Sequence, residues 1–296
     1  YSSVFVLAVP ARLASCKKIV LCSPPEDNGE LHPAILYCAK LCKVNKVISV
    51  GGAQSIAAMS IGTESVPKVN KIFGPGNQYV TCAKLNSINF NTAIDMPAGP
   101  SELLVLADET ANPNYIASDL LSQAEHGPDS QVIFVSLSKS LIDNVEKCIY
   151  DQIENLNRKN FINKSIANSR LIFFDDKIDA VEFINKYAPE HYIVNVENES
   201  YFIENIVSAG SVFIGNYTPE SAGDYASGTN HTLPTNGNAK QYSGVNLDSF
   251  LKTITFQKIS KEGLLNISNT VETMAEAEGL QAHKNAISIR VKDLNN

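Results

Sequence analysis

The stretch that decides the fold is KKIVLCSPPEDNGELHPAILYCAKLCKVNKVISVGGAQ, residues 17–54. Its first part is an apolar, β-branched run that predicts a strand ending in a proline loop. HPAILYCAKLC, residues 32–42, has apolar side chains at helical spacing, and KVISV, residues 46–50, predicts a second strand that ends in two glycines. A strand, a helix and a strand in this order predict two parallel strands joined by a crossover helix.

The same alternation continues along the chain. Further strands are predicted in NKIFG, TAIDMP, SELLVLAD, DSQVIFVS, SRLIFFDD, HYIVNV and SVFIG, with helix-length segments between most of them. The tail, residues 259–291, is typical of a helix, a turn and a second helix. Strict alternation favours doubly wound parallel sheets. We therefore predict an α/β fold with two Rossmann-like parallel-sheet lobes, both incomplete and atypical, plus a small helical C-terminal segment. The predicted boundaries are residues 1–98, 99–245 and 246–296.

Composition excludes several classes of partner. The 296 residues carry 24 Lys and Arg against 31 Asp and Glu, a formal net charge of −7. This mildly acidic balance offers no electrostatic footprint for nucleic acid and no basic face for a membrane surface. No apolar run approaches the roughly 18 residues of a membrane span. We therefore expect a soluble, cytoplasmic protein that acts on a small molecule.

The opening of the chain contains an apolar stretch that superficially resembles a signal peptide. It has no basic residues before that stretch, and Pro10 and Arg12 interrupt it, so the resemblance fails. The chain has no initiator Met and no strand before this helix-like segment. We therefore expect it to begin within a domain whose upstream part is missing.

Cysteine usage favours a reducing compartment. The six cysteines form no CxxC pair and are too sparse for a disulfide scaffold. Cys38 and Cys42 lie four residues apart on a predicted helix, and we interpret them as small buried apolar residues rather than metal ligands.

Two glycine-rich turns are candidates for nucleotide binding. GGAQSIAAMSIG begins at Gly51 and GPGNQYV at Gly74, and each follows an apolar strand and opens a helix. Both turns therefore offer backbone N–H groups at a helix N-terminus to a phosphate. Neither matches GxGxxG, because Tyr79 occupies the third glycine position, so a simple tight turn is an equal interpretation.

The histidines are a stronger signal. Four of the five lie in polar motifs with an acidic residue nearby: His126, His191, His231 and His283. Gln123 and His126 are three residues apart, which predicts neighbours on one helical face, and Asp224 shares a polar loop with His231. Imidazole nitrogens and carboxylate oxygens are the ligands that zinc uses when cysteine is absent. A shared metal site is therefore plausible, although for each histidine taken alone a structural or surface role is favoured.

Glu190 and His191 follow Pro189 at a predicted break between helix and strand. Histidine titrates near neutrality and is the usual general base. The pair predicts either acid–base chemistry or, equally, a capping glutamate beside an edge-strand histidine.

Together these segments resemble the histidinol dehydrogenase family. The matching strings run in family order along the whole chain: GGAQSIAAMSIGTESVPKV, KIFGPGNQYVT, IDMPAGPSE, ASDLLSQAEHGPDSQVI, YAPEH, AGSVFIG, TPESAGDYASGTNHTLPT and EGLQAHKNAI. The opening VFVLAVPARLASCKKIVLCSPP is most similar to the fungal form, in which this unit ends a trifunctional histidine-biosynthesis polypeptide. The resemblance also implies that an N-terminal region, which in the family includes an NAD-contacting tyrosine, is missing from this chain.

The resemblance implies oxidation of L-histidinol to L-histidine with two NAD through a bound aldehyde. It implies that residues 1–98 form an NAD-side lobe, 99–245 a substrate and zinc lobe, and 246–296 a dimerisation segment of a homodimer. It implies that zinc is bound by Gln123, His126 and Asp224, and by His283 of the partner subunit. His191 would be the base and Glu190 the residue that activates water, and Gln54 and Asn77 would contact NAD. The substrate would be contacted by Ser101, His231 and Glu278, together with His191 and the zinc ligands.

Two other functions stay open at this point. A metal-dependent hydrolase could use the same ligands, with metal-bound water as the nucleophile, and it would need no NAD. A non-enzymatic fragment or structural module would bind no zinc and show no turnover.

Overall fold

The computed structural model describes residues 1–97 and 99–295. The chain divides into two compact units, Tyr1–Leu251 and Lys252–Asn296. The finer boundaries after residues 98 and 245 stay predictions.

The first part of the larger unit alternates helices and strands as predicted. Its elements are α1 (Ser2–Leu13), β1 (Val20–Ser23), α2 (Pro33–Leu41), β2 (Lys46–Ser49), α3 (Gly52–Ile61), β3 (Lys71–Ile72), α4 (Gln78–Ser87) and β4 (Ala93–Ile94). β1 pairs with β2 and β3 with β4, each in parallel. His32 begins α2 by accepting the N–H of Ala34 at Nδ1, at 3.1 Å, while Pro33 fills the first helical position. The crossover unit expected from residues 17–54 is therefore confirmed.

The second part of the unit contains a larger sheet. Its elements are β5 (Glu102–Ala107), α5 (Pro113–Ala124), β6 (Gln131–Ser136), α6 (Lys139–Ile153), α7 (Lys159–Ala167), β7 (Arg170–Phe173), α8 (Lys177–Tyr187), β8 (His191–Asn195), α9 (Glu199–Glu204), β9 (Ser211–Ile214) and α10 (Glu220–Tyr225). The strands are parallel and lie in the order β7-β6-β5-β8-β9. Helices α7, α9 and α10 were not predicted from the sequence. The prediction that Asp224 shares a loop with His231 is wrong, because Asp224 lies in α10.

The larger sheet has a buried core on each face. Leu103 and Val105 of β5 pack with α5, α6 and α7 on one face. Leu104 and Leu106 point to the other face and pack with α8 and α9. Burial on both faces explains why β5 is an unbroken apolar run instead of an alternating one. The predicted doubly wound α/β class is confirmed.

The ends of α8 and β9 fix the backbone around β8. Helix α8 ends at Ala188, which adopts a left-handed conformation with φ 58°, and Pro189 follows it. Gly210, before β9, approaches so closely that an added Cβ would lie 2.5 Å from the carbonyl oxygen of Glu190. Only glycine fits there, so β9 packs tightly against the residue that precedes β8.

The smaller unit is a helical hairpin. α11 (Lys261–Ala277) and α12 (Gln281–Leu294) pack against each other, as the helix–turn–helix pattern predicted. Ser260 begins α11 by accepting the N–H of Gly263 at 3.0 Å, and Lys284 pairs with Glu276 at 2.8 Å. Residues 252–260 form neither helix nor strand and are exposed.

Two further findings concern membrane spans and cysteines. Within residues 1–97 and 99–295, no helix has the length and apolar character that a membrane crossing requires. All six cysteines are free thiols, and Cys38 and Cys42 are buried, as predicted.

The sheet core predicts a difference between two isoleucines. Ile193 in β8 is 1% exposed, whereas Ile178 in α8 is 60% exposed. Because Ile193→Ala leaves a cavity in a closed core, it is expected to lower the free energy of unfolding by about 3 kcal/mol. Ile178→Ala is the matched control, with an expected change below about 0.5 kcal/mol. Urea unfolding followed by circular dichroism measures both, and equal losses would contradict the assigned core.

Candidate active site

The predicted catalytic residues lie at the amino-terminal edge of the larger sheet. Leu103 of β5 is in register with His191 of β8, and His191 with Ser211 of β9. Glu102, the first residue of β5, therefore lies beside Glu190 and His191. Ser101 directly precedes Glu102 and so lies at the same edge.

The backbone of Glu102 holds both members of the Glu190–His191 pair. Its N–H donates to Oε2 of Glu190 at 2.8 Å. Its carbonyl oxygen lies 3.1 Å from Nδ1 of His191. Because a carbonyl can only accept, Nδ1 carries the proton in the neutral ring, and Nε2 is left as the basic nitrogen. Nε2 is buried and has no hydrogen-bond partner among the described residues, so it is free to accept a proton from a ligand.

Two carboxylates of α10 face this imidazole. Oε1 of Glu220 lies 3.7 Å from Nδ1 of His191, and Oδ1 of Asp224 lies 4.0 Å from Nε2. Glu220 and Asp224 are four residues apart, which places both on one face of a helix. Glu190 is equally close, with Oε2 at 3.7 Å from Nδ1. These contacts are not ion pairs, because burial lowers the pKa of His191 and keeps its imidazole uncharged near neutral pH.

The remaining predicted zinc ligands of the larger unit border this group. Gln123 is fully buried near the end of α5, and its amide nitrogen donates to Glu220 at 2.6 Å to Oε1 and 3.1 Å to Oε2. His126 lies beyond the end of α5, with Nδ1 at 3.0 Å from the carbonyl oxygen of Ser122. The prediction that Gln123 and His126 share a helical face is therefore wrong, because α5 ends at Ala124.

His231 packs on the backbone of α10. Its Nδ1 lies 3.0 Å from the carbonyl oxygen of Asp224. The charges of His126 and His231 both act to lower the pKa of Asp224 and of His191. The structure thus brings together the histidines and acids that the sequence placed far apart in the larger unit.

Burial dominates the electrostatics of the site. It lowers the pKa of His191 to about 4, against a smaller opposing effect of the hydrogen bond to Glu102. Burial raises the pKa of Glu190 and of Glu220 well above the ordinary value, and neighbouring carboxylates raise both further. Burial also raises the pKa of Asp224. Near neutral pH the imidazole is therefore uncharged, so its Nε2 can accept a proton.

Sequence reasoning missed two buried acids. Glu102 accepts the N–H of Asn236 at Oε1, at 2.7 Å, while its Oε2 is buried without a hydrogen bond in the described chain. Burial raises its pKa to about 7. Glu220, four residues before Asp224 in TPESAGDY, was the second omission. That i, i+4 spacing of two acids was the only local signal for Glu220, and Glu102 had none.

A groove of about 780 Å³ leads to Asp224. It is lined by Val6 and Val9 of α1 and by residues of the polar tract that follows α10. Asn230 in this tract donates its amide to the carbonyl oxygen of Val6 at 2.6 Å. A small ligand in this groove would therefore contact Asp224.

The two glycine turns lie at the carboxyl ends of their strands. Gln54 is exposed in the first turn of α3 and lines a cavity of about 370 Å³ between α3 and α4. Asn77 begins α4, where its Oδ1 accepts the N–H groups of Tyr79 and Val80 at 3.1 Å each. The two predicted NAD contacts therefore lie at the starts of two helices that pack against each other.

The two other predicted residues belong to the smaller unit. Glu278 directly follows α11, and His283 lies in the first turn of α12; both are exposed. Their part in a site stays a prediction.

The donor set can hold a divalent cation. One ligand atom each from His191, Glu220 and Asp224 lies within 4.8 Å of the others. Buried carboxylates that repel one another are stabilised by a cation placed between them, and nitrogen with oxygen donors suits zinc. This cluster overlaps the predicted ligand set at Asp224 and borders it at Gln123.

Comparison with known proteins decides the family. The family model described as histidinol dehydrogenase matches residues 1–291. The chain belongs to this family.

Relatives within the family are close along the whole chain. The histidinol dehydrogenase of Bacteroides fragilis is 56% identical, with 99% of this chain and 69% of that protein covered. The chloroplastic histidinol dehydrogenase of Arabidopsis thaliana is 54% identical, with 99% and 64% covered. A crystal structure of histidinol dehydrogenase from Elizabethkingia anophelis superimposes with a TM-score of 0.97 at 54% identity, and covers 100% of this chain and 68% of that one. These relatives are bacterial and plant proteins, so the expected fungal trifunctional origin finds no support among them.

The buried acid Glu102 predicts a pH dependence of folding. Its pKa is about 7 when folded against 4.5 ordinarily, so the folded state binds its proton more tightly. The stabilisation is complete below pH 4.5 and is lost as the pH rises to 7, by up to about 3 kcal/mol. The stability of the native protein relative to Glu102→Gln should therefore fall across this window.

Urea unfolding at pH 4.5, 5.5, 6.5 and 7.5 measures this difference. Ile193→Ala is the control, because it removes no titratable group and its difference from the native protein should not follow the same slope. A difference for Glu102→Gln that stays constant with pH would contradict the buried carboxyl.

Proposed function

We propose that this chain oxidises L-histidinol to L-histidine in two NAD-dependent steps through a bound aldehyde, assisted by zinc. The observation that carries the proposal is the buried, neutral imidazole of His191 with its unpartnered Nε2 facing Asp224, in a chain of the histidinol dehydrogenase family. Bound NAD⁺ would accept a hydride in each oxidation.

His191 is proposed as the general base of the first oxidation. Its Nε2 accepts the proton of the alcohol hydroxyl as the carbon–hydrogen bond is broken. The hydrogen bond from Nδ1 to the carbonyl oxygen of Glu102 holds the required tautomer. The low pKa of about 4 keeps the ring unprotonated and therefore ready before each turnover.

Glu190 is proposed to act in the second oxidation. Its carboxyl lies beside His191 and is anchored by the Glu102 N–H. Although burial raises its pKa, its ionised form can take a proton from the water that hydrates the aldehyde, after which His191 assists the second oxidation. This route needs no thiol, and the residues proposed for the site include no cysteine.

Zinc is proposed to be held by Gln123, His126 and Asp224, with His283 of the partner subunit as the fourth ligand. Of these ligands, Asp224 belongs to the cluster of donor atoms formed with His191 and Glu220, and Gln123 contacts Glu220 in that cluster. Zinc in this place would orient the imidazole and amine of the substrate and act as a Lewis acid. Glu220 would stay beside the ligands, because it holds the amide of Gln123.

The other contacts are proposed from the family motifs. Ser101, His231 and Glu278 would contact the substrate, with His191 and the zinc ligands. His231 contacts the backbone of Asp224, and Ser101 directly precedes Glu102 at the same edge of the sheet. Gln54 and Asn77 would contact NAD from the two glycine turns.

A homodimer is proposed because the smaller unit exposes large apolar side chains. Phe256 is 92% exposed, Ile254 68% and Ile289 61%. Exposed apolar groups of this kind are typical of a surface that another protein covers. A cytoplasmic location, a missing upstream segment and a fungal trifunctional polypeptide stay predictions.

The test of the proposal is the appearance of NADH at 340 nm when L-histidinol is added. His191→Ala should lower this rate by about 10³-fold, because it removes the base, while zinc content by atomic absorption stays at the native level. His32→Ala is the matched control, since His32 caps α2 away from the site; it should keep the native rate within about twofold. No NADH from the native protein would favour a hydrolase or an inactive module, and normal turnover by His191→Ala would refute its role as base.

The shared zinc site predicts complementation between two inactive variants. His283→Asn should lower zinc content, because it removes a ligand from the partner's site. In dimers refolded from equal amounts of His283→Asn and His191→Ala chains, one site of each mixed dimer is intact. Activity of about a quarter of the native value is expected from random pairing. A mixture no more active than its separate components would contradict a site built from two subunits.

A further inference from the structure

A buried ion pair in the larger unit lies outside the site described above. Lys84 in α4 and Asp95, directly after β4, meet through Nζ and Oδ1 at 2.5 Å, and both side chains are almost fully buried. Taking two charges out of water is costly, and replacing a buried pair by apolar residues is often neutral or stabilising. Stability alone therefore does not explain this pair.

Both partners of the pair hold the same turn. Nζ of Lys84 donates to the carbonyl oxygen of Gly74 at 2.8 Å. Oδ2 of Asp95 accepts the N–H of Gly74 at 2.7 Å, and Oδ1 accepts the N–H of Met96 at 2.6 Å. The N–H and the carbonyl oxygen of Gly74 are therefore both hydrogen-bonded to buried side chains. Those two side chains, Asp95 and Lys84, form an ion pair with each other.

Gly74 has a conformation that needs such fixing. Its φ is +125°, which L residues rarely adopt. Space is not the constraint, since the nearest described atom to an added Cβ would be Cδ1 of Leu7, at 3.7 Å. The constraint lies in the backbone, and the ion pair is what holds that backbone in place.

The turn leads directly into the group proposed to contact NAD. An added Cβ on Gly76 would lie 2.4 Å from Cγ1 of Val80, so the turn packs tightly onto α4. Asn77 comes next and is tied to the helix by its two cap hydrogen bonds to Tyr79 and Val80. A displacement at Gly74 is therefore passed on to Asn77 through a short, stiff connection.

We propose that Lys84 and Asp95 are positioning residues for NAD: their ion pair clamps Gly74 and thereby holds Asn77 and the start of α4 in the geometry that binds the dinucleotide. This inference rests on the proposed function, because Asn77 is a proposed NAD contact. Neither residue acts on the reacting atoms, since both are buried and contact the turn.

The first test replaces the pair by apolar residues of similar volume, in Lys84→Met/Asp95→Leu. Because the turn is then released without leaving a lone buried charge, KM and the calorimetric Kd for NAD should rise about tenfold. The kcat at saturating NAD, the KM for histidinol and the zinc content should stay within about twofold. Lys84→Met/Asp95→Asn restores an acceptor for the Gly74 N–H, so it should recover most of the loss in NAD affinity.

A second pair of variants covers the case in which the double variants fail to fold. Gly74→Ala strains the turn without burying a charge and should also weaken NAD binding about tenfold. Gly29→Ala is the matched control, because Gly29 has φ +82° with open space around it, in a turn that carries no proposed contact. Its NAD affinity should equal that of the native protein.

The outcomes separate this inference from the proposed function. If native protein binds NAD and the Leu double variant or Gly74→Ala binds it equally well, the clamp is overturned while the proposed function stands. If native protein binds NAD but produces no NADH from histidinol, the proposed function fails, and the Kd series still decides on the clamp. If native protein binds no NAD, both are overturned.

Discussion

One peptide unit at the start of β5 holds the catalytic pair. The N–H of Glu102 binds the carboxylate of Glu190, and its carbonyl oxygen binds the imidazole of His191. Both bonds depend on the parallel register of β5 and β8. A slip of one residue would turn His191 to the other face of the sheet and leave the basic nitrogen pointing into the core. Tight packing of Gly210 against Glu190 blocks such a slip from the β9 side.

The two parts of the larger unit use opposite edges of their sheets. The glycine turns follow the carboxyl ends of β2 and β3, where α/β proteins usually bind ligands. His191 lies instead at the amino end of β8, and the acids of Glu220 and Asp224 reach it because α10 returns along the sheet after β9. A site built at an amino-terminal edge needs side chains from returning helices and loops, which explains why its members are scattered along the sequence.

Local sequence patterns predicted the elements but only part of the site. The apolar runs predict the burial of β5 and β8, and the spacing of apolar residues predicts the buried faces of α2 and α6. These patterns lie within each segment, so they can be recognised without knowledge of the fold. The role of Glu102 cannot be recognised in this way, because it depends on contact with Glu190, which is 88 residues away in the sequence. Glu220 is similar: next to Asp224 it resembles an ordinary exposed acid, and only the approach of Gln123 and His191 makes it part of the site. His126 was placed on a helix because periodicity does not mark the residue at which α5 ends.

Burial shifts the titration of the site towards uncharged forms, because it lowers the pKa of His191 and raises the pKa of Glu190, Glu220 and Asp224. Burial keeps His191 neutral and favours the protonated forms of Glu190 and Glu220, and each additional ionised carboxyl would raise the pKa of its neighbours. A cation placed among these acids would favour their ionised forms, and its binding would then release protons. The same repulsion that makes the acids costly to ionise therefore provides the affinity for a divalent cation. His191 need not share in that exchange, because its Nδ1 proton is held by the backbone of Glu102 and its Nε2 remains available to the substrate.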